Sequence, residues 1–170
     1  MRLGVWGRRG SCDRAMSRRS EVAEPTFNAK GKIMDEDDLI RFIRGKRLAV
    51  ISTTNATGRP EAALIGFAFE VSVGLVFDTS TSSRKARNLR IQPFAAIVIG
   101  WDNETTLQVE GTAAEPVGPE LEKAKELYFN IWPDGRTREA WPDIAYFVVK
   151  PQWMRFSRYS DPPIIAEFNL

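Results

Sequence analysis

Short strand-like segments that follow one another closely along the chain constrain its fold more than any other feature. They are rich in β-branched and aromatic residues, and turns such as Asn55–Gly58 separate them, with Gly58 expected to take a positive φ. Seven strands are predicted, at residues 48–54, 60–69, 75–78, 94–101, 105–117, 144–149 and 153–159. Because a row of short strands leaves exposed edges unless the sheet curls and closes, the sequence favours a mainly β, antiparallel barrel.

Two of these strands carry contrasting hydropathy patterns. Phe94–Trp101 is almost wholly apolar, which predicts a strand buried on both faces. Apolar and polar side chains alternate in residues 105–117, so Thr106 and Gln108 share one face of that strand.

Asp161–Pro163 is predicted to end regular structure, with the last residues lying against the barrel or a partner.

A few short helices flank the predicted strands. Acidic residues crowd the first turn of residues 35–44, and Pro93 ends a helix over 82–92. Pro119 is suited to the first position of a third helix. The apolar face of that third helix is formed by Leu121, Ala124, Tyr128 and Ile131.

Residues 1–33 differ in composition from the rest of the chain. They hold eight of the 24 Lys and Arg but three of the 22 Asp and Glu, among Gly and Ser with little apolar periodicity. This composition predicts a disordered basic tail before one folded domain at 34–170. Such a tail fits either an organelle transit peptide or an upstream start, with Met16 or Met34 as the true beginning.

Charge and residue usage exclude several classes of function. Residues 34–170 carry a net charge of −3, which argues against a general nucleic-acid or membrane-surface binder. No apolar run reaches about 18 residues, so no membrane span is expected. A single cysteine, Cys12, fits a reducing compartment and predicts a cytoplasmic protein. Since there is no histidine, Ser-His and Cys-His pairs, histidine-ligated heme and histidine metal sites are excluded.

The stretch 74–92 has the composition of an anion site. A short apolar strand leads into the hydroxyl-rich turn Thr79–Ser83, and Arg84 and Lys85 then begin a helix. A helix N-terminus presents unpaired N–H groups and a positive dipole end, which suit a phosphate. The glycines of a P-loop or dinucleotide fingerprint are missing. Ordinary helix capping beside solvated cations is the alternative explanation.

Three segments together resemble a known family. Gly74–Ala86, the apolar strand that ends at Trp101, and Leu107–Gly111 resemble in order and spacing the pyridoxamine 5'-phosphate oxidase superfamily, over about residues 34–160. Members of that superfamily are FMN-binding split barrels. The resemblance therefore implies an antiparallel split β-barrel with a few flanking short helices, and a homodimer with FMN in a groove at the subunit interface.

The resemblance also implies the site residues. Ser83, Arg84 and Lys85 match the family's Ser-Arg-Lys element, whose cations hold the FMN phosphate. Thr79 keeps a family hydroxyl, whereas Asp78 departs from the pattern and is expected to point away.

Further cofactor contacts are implied on two other strands. The family's flavin-contacting glutamine falls at either Gln108 or Thr106. Ala63, Leu64 and Ile65 match the segment that lines the flavin with backbone groups, although the Arg and Lys of that segment are missing here.

The C-terminal part departs further from the family. No Arg-Leu-His-Asp-Arg-like substrate clamp follows the strand that begins near Pro151, so pyridoxamine phosphate oxidation itself is not expected. The resemblance then implies an FMN-dependent oxidoreductase that acts on a small-molecule redox substrate, with no catalytic side chain and no metal. A non-enzymatic, stress-related flavin-binding protein and a split barrel that uses a deazaflavin are the alternatives.

Overall fold

The computed structural model describes residues 34–170, so the predictions for residues 1–33 lie outside the described residues. The strands within it are β1 (Leu48–Thr54), β2 (Pro60–Gly66), β3 (Ala68–Glu70), β4 (Gly74–Ser80), β5 (Phe94–Ile99), β6 (Thr105–Ala114), β7 (Ile144–Arg158) and β8 (Ile164–Asn169). The helices are α1 (Glu36–Arg44), α2 (Arg84–Ile91), α3 (Pro119–Ile131) and α4 (Gly135–Arg138), with a 3-10 turn at Asp102–Glu104.

The strands form one antiparallel sheet in the order β2-β1-β5-β6-β7-β4-β3, and β8 pairs with part of β7. The sheet curls around a core without closing, which leaves β2 and β3 at its two ends. The predicted mainly β, antiparallel split barrel with short flanking helices is therefore confirmed. Gly58 takes the expected positive φ of 79° in the turn between β1 and β2.

The strand boundaries differ from the prediction at β7. The segments predicted at 144–149 and 153–159 form one continuous strand, because a register shift opposite Glu110 and Gly111 absorbs Gln152 as an extra residue. Gly111 permits this close approach, since a Cβ there would lie 2.3 Å from the carbonyl oxygen of Lys150. The backbone continues through Pro151 where periodicity alone indicates a break.

Two further boundary predictions are wrong. The segment predicted at 60–69 divides at the buried Phe67, because β2 pairs with β1 whereas β3 pairs with β4. Asp161–Pro163 does not end regular structure, since β8 follows it and pairs with β7. Hydrogen bonding to a neighbouring strand decides both points.

The inner face of the sheet carries the main core. Alternate residues of β6, including Leu107, Val109 and Gly111, are buried, while Gln108 and Glu110 are exposed, as the alternation predicts. Helix α1 adds Leu39 and Ile43, and α2 adds Ala86 and Leu89. Every second residue of each strand points inward, and the pairing of strands that are distant in sequence brings these residues together into one continuous core.

A second cluster lies on the outer face of β3, β4 and β7, where α3 packs. Tyr128 and Ala124 of α3 are buried there against Val76, Tyr146 and Val148, which confirms the predicted apolar face of this helix.

The outer face of the other half of the sheet is open. Phe94–Trp101 was predicted to be buried on both faces, but β5 buries only Ala95, Ile97 and Ile99. Phe94 is 64% exposed and Val98 37%. The prediction is wrong within this chain because α3 packs on the other half of the sheet. No helix of the described residues has the length and hydropathy to cross a membrane.

Candidate functional site

A groove of about 180 Å³ lies between the sheet end strand β2 and the N-terminus of α2. It is lined by Glu61, Ala62, Ala63, Arg84 and Lys85. The hairpin of β1 and β2 supplies one wall, and the turn after β4 supplies the other. The fold thus brings the two predicted cations to the segment predicted to line a cofactor.

Ser83 is the N-cap of α2. Its backbone is extended (φ −65°, ψ 152°), and its Oγ accepts a hydrogen bond from the N–H of Ala86 at 3.2 Å. Thr79, which is buried at the end of β4, donates its Oγ1 hydrogen to the same oxygen at 3.1 Å. Ser83 therefore accepts twice, and its own hydroxyl proton stays available for a ligand.

The other turn hydroxyls are used locally. Ser80 Oγ donates to Asp143 Oδ2 at 2.6 Å and accepts from the N–H of Ser82 at 3.1 Å. These contacts hold the turn in shape. Within the hydroxyl-rich segment, Ser83 is thus the residue whose position at the start of α2 suits an incoming anion.

Arg84 is paired with a carboxylate at the groove. Its guanidinium donates to Glu61 Oε1, while Asn55 Nδ2 donates to the same oxygen at 3.1 Å. Asn88 Nδ2 donates to Glu61 Oε2 at 3.0 Å and to Thr53 Oγ1 at 3.0 Å. The hydrogen bonds from Arg84 and Asn88 lower the pKa of Glu61 from its ordinary value of 4.5 to about 2. Glu61 is therefore a fixed negative charge at physiological pH.

Lys85 is partly buried beside Arg84. Burial lowers its pKa, and the negative charge of Asp78 acts in the opposite direction. A partly desolvated ammonium gains more from a bound anion than a solvated one does, because its hydration is already reduced.

Asp78 points away from the groove, as predicted. Its Oδ1 accepts from the hydroxyl of Tyr128 at 2.7 Å, and its Oδ2 accepts from Arg138 Nε at 2.8 Å. The side chain of Arg138 is only 22% exposed, because helix α4 carries it onto Asp78.

The two predicted residues of β2 face opposite ways. Leu64 lies on the open outer face and is 59% exposed, whereas the Ile65 side chain is buried in the core. Ile65 can therefore contact a ligand only through its backbone, as predicted for this segment. Within the described residues β2 pairs with β1 alone, so its other edge has backbone groups available for a ligand.

Thr106 and Gln108 lie on the open face of β6, apart from the groove. Leu64, Val50, Val98 and Gln108 form one row across β2, β1, β5 and β6. Three strand spacings separate Leu64 from Gln108, which is about 14 Å. One chain thus assembles Thr79, Ser83, Arg84 and Lys85 beside β2 but does not bring Thr106 or Gln108 to them.

The donor set fits a phosphate. Arg84 and Lys85 line a groove that is open on one side, and Ser83, the N-cap directly before them, has a free hydroxyl proton. Glu61 is the one group of opposite sign among the lining residues. No group of three or more His, Cys, Asp or Glu in the described chain is placed to hold a metal ion.

Sequence reasoning missed Glu61 and Asn88. An acidic residue inside an otherwise apolar strand is a signal for Glu61. No local pattern marks Asn88, since its burial arises from the packing of α2 on β1.

Known proteins resemble this chain in sequence and in fold. The sequence model described as "Pyridoxamine 5'-phosphate oxidase" matches residues 36–158. A pyridoxine/pyridoxamine 5'-phosphate oxidase from Neisseria gonorrhoeae is 33% identical over 115 residues, which are 66% of this chain and 53% of that protein. The chain thus spans about half the length of the curated relatives it matches.

Solved structures share the fold. A heme binding protein from Mycobacterium smegmatis superposes with a TM-score of 0.67 at 20% identity, covering 76% of this chain and 55% of that one. General Stress Protein 26 from Bacillus anthracis superposes with a TM-score of 0.61 at 21% identity, covering 79% and 97%. The family model matches most of the residues that the structure describes, so the chain belongs to the pyridoxamine 5'-phosphate oxidase family.

Proposed function

We propose that this protein binds FMN and is an FMN-dependent oxidoreductase that acts on a small-molecule redox substrate. The observation that carries the proposal is the start of α2, where Arg84 and Lys85 line a groove against the end strand β2 and Ser83 is the N-cap directly before them. The relatives' name, pyridoxine/pyridoxamine 5'-phosphate oxidase, supports redox chemistry for this family. Bound FMN supplies the electron-accepting ring, so no catalytic side chain is required of the chain.

One group of residues is proposed to bind the phosphate of FMN, and the edge of β2 to contact its ring. Arg84, Lys85 and the hydroxyl of Ser83 hold the phosphate by charge and hydrogen bonds. Thr79 orients Ser83 through the 3.1 Å hydrogen bond. The free backbone edge at Leu64 and Ile65 orients the ring and shields it from water on one side.

A homodimer completes the proposed site. Thr106 and Gln108 lie on the open face with the exposed apolar residues Leu64, Phe94 and Val98. A second copy packed on this face buries that apolar surface, and it brings a partner strand toward the groove that a single chain leaves open. The flavin contact predicted for Thr106 or Gln108 is then made across the interface.

Heme and a deazaflavin are the alternative ligands that an experiment must distinguish from FMN. Heme is considered because of the protein from Mycobacterium smegmatis, but this chain has no histidine to ligate iron. A deazaflavin suits the same phosphate site. A stress-related role without turnover is suggested by General Stress Protein 26 and by the missing substrate clamp. A cytoplasmic location stays a prediction from composition.

The visible spectrum of the purified protein, followed by titration of the apoprotein with FMN, tests the proposal. Replacing Arg84 and Lys85 together by alanine removes two charge-assisted contacts of about 1.5–3 kcal/mol each, so FMN affinity should fall by at least about 100-fold. The matched control replaces Arg41 and Arg44, two arginines in the last turn of α1. Undiminished FMN binding by the first double variant would contradict the site, and a heme or deazaflavin spectrum would contradict the cofactor.

Enzymatic reduction separates the oxidoreductase from the stress-related alternative. The FMN-loaded protein is mixed anaerobically with nicotinamide donors and with a panel of small reduced compounds, and bleaching of the flavin is followed. Bleaching by one of them, faster than that of free FMN, supports an enzyme. A flavin that stays oxidised across the panel favours a binding protein.

A further inference from the structure

The negatively charged side chain of Glu61 lies in the groove, where the cofactor phosphate is expected. The Glu61 carboxylate accepts from the guanidinium of Arg84 and from the side-chain amides of Asn55 and Asn88. Only 15% of its side chain is exposed, against 71% for Arg84. The acid is therefore held in place by the protein, while the arginine is the mobile member of the pair.

This pairing changes the charge that an incoming phosphate meets. Arg84 and Lys85 together offer two positive charges, and Glu61 cancels one of them at contact distance. A dianionic phosphate must draw the guanidinium of Arg84 away from Glu61 and then lie near the carboxylate that remains. The energy of the Glu61–Arg84 contact is thus subtracted from the energy of phosphate binding.

We propose that Glu61 competes with the cofactor phosphate for Arg84, so that this protein holds FMN as an exchangeable ligand and not as a permanently bound group. This inference rests on the proposed function and deepens it. Glu61 is a specificity-determining residue that lowers the preference for phosphorylated over unphosphorylated flavin.

The surroundings of Glu61 suit such an exchange. When Arg84 turns to the phosphate, Asn55 and Asn88 continue to donate to both oxygens of the carboxylate. The acid therefore loses no essential partner when FMN binds, and Arg84 regains its partner when FMN leaves. An arginine with a built-in carboxylate partner also needs no bound anion to stay satisfied in the free protein.

Flavin titrations with and without the phosphate test the inference. Apoprotein is titrated with FMN and with riboflavin, which has the same ring without the phosphate, and flavin fluorescence reports binding. Glu61→Gln keeps the size of the side chain and removes its charge, although its amide group accepts at one oxygen where the carboxylate accepts at two. It should tighten FMN binding about tenfold, leave riboflavin unchanged, and slow FMN release by a similar factor.

The matched control is Glu115→Gln. Glu115 forms a two-point contact with Arg90 near the other end of the same helix, so this variant also frees an arginine of α2, but away from the groove. It should leave both affinities unchanged. Glu61→Ala is a second charge-removing variant, and circular dichroism verifies that each variant is folded.

The outcomes separate this inference from the proposed function. A gain for FMN alone, in both Glu61 variants and not in the control, supports the competition. FMN binding that is unchanged or weaker in the Glu61 variants, while wild type binds FMN, overturns the inference and leaves the proposed function standing. Failure of wild type and every variant to bind FMN overturns both.

Discussion

The outer face of the sheet has two halves that share a strand architecture and differ in what covers them. On β3, β4 and β7, helix α3 buries Val76, Tyr146 and Val148 beneath its own apolar face. On β2, β1, β5 and β6, apolar side chains such as Leu64 and Phe94 remain exposed. One half is covered by a helix of the same chain, whereas the other leaves apolar side chains exposed.

Each half also has a carboxylate–arginine pair. Asp78 and Arg138 form the pair of the covered half, where Tyr128 holds the carboxylate as well. Glu61 and Arg84 form the pair at the edge of the open half, with a mostly exposed arginine. The two pairs differ in exposure, so we expect the enclosed pair to be structural, and we propose that the pair at the groove is exchangeable.

The largest expected effect concerns the covered half. Tyr128 is buried among the aromatic side chains of the α3 cluster, and its hydroxyl donates to Asp78. Tyr128→Ala should lower the free energy of unfolding by about 3–5 kcal/mol, because it leaves a large cavity. Urea denaturation at one fixed protein concentration measures it. The control, Phe94→Ala on the open half, should cost less than about 1 kcal/mol, and equal losses would break the comparison.

A charged residue introduced on the open half should weaken formation of the proposed homodimer. Val98 lies in the middle of the exposed row, so Val98→Glu should raise the dissociation constant of the proposed homodimer at least about 100-fold by placing an unpaired charge in its apolar interface. Analytical ultracentrifugation over a concentration series measures this. Val117→Glu, at an exposed valine that is not on β5, is the control. A wild-type protein that stays monomeric at high concentration would contradict the interface.

Removal of the negative charge of Asp78, in the covered pair, should have an intermediate effect on the free energy of unfolding. Asp78→Asn keeps the shape of the side chain but weakens the contacts with Tyr128 and Arg138, so the unfolding free energy should fall by about 1–3 kcal/mol. Glu122→Gln, which disrupts an exposed ion pair with Lys125, is the control and should cost less than about 0.5 kcal/mol. An Asp78→Asn variant as stable as its control would show that the covered pair is not structural.

The smallest expected effect is a pH dependence at the open pair. Since the pKa of Glu61 is about 2 in the folded protein and its ordinary value is 4.5, the charged carboxylate stabilises the fold above about pH 4.5. This contribution is lost as the pH falls from about 4.5 to about 2. Wild type should therefore exceed Glu61→Gln in stability at neutral pH, and the difference should disappear in acid. Denaturant midpoints across this range measure it, and a constant difference would contradict the assignment.

Much of the architecture was predictable from local pattern. The alternation in β6, the proline at the start of α3 and the positive φ of Gly58 depend on a few neighbouring residues, and each agrees with the structure. The helix start after Ser83 was also predictable, because capping is a local feature, whereas anion binding there stays a prediction.

The remaining features depend on contacts between residues that are distant in sequence. The single long strand β7 follows from its register with β6, and the open face of β5 follows from where α3 packs. Neither is encoded in the periodicity of the segment itself, because an apolar run has the same pattern whether a helix, a second chain or solvent faces it.

The sequence by itself determined most of the strand and helix pattern, the cationic start of α2 and the absence of histidine chemistry, since these depend on residue type and local spacing. Only the tertiary structure decided that Arg84 meets Glu61, that Asn88 supports that carboxylate, and that Gln108 lies three strands away from the groove. The physical reason is that side-chain partners are chosen by the pairing and curling of the sheet, which brings together residues that no local pattern connects.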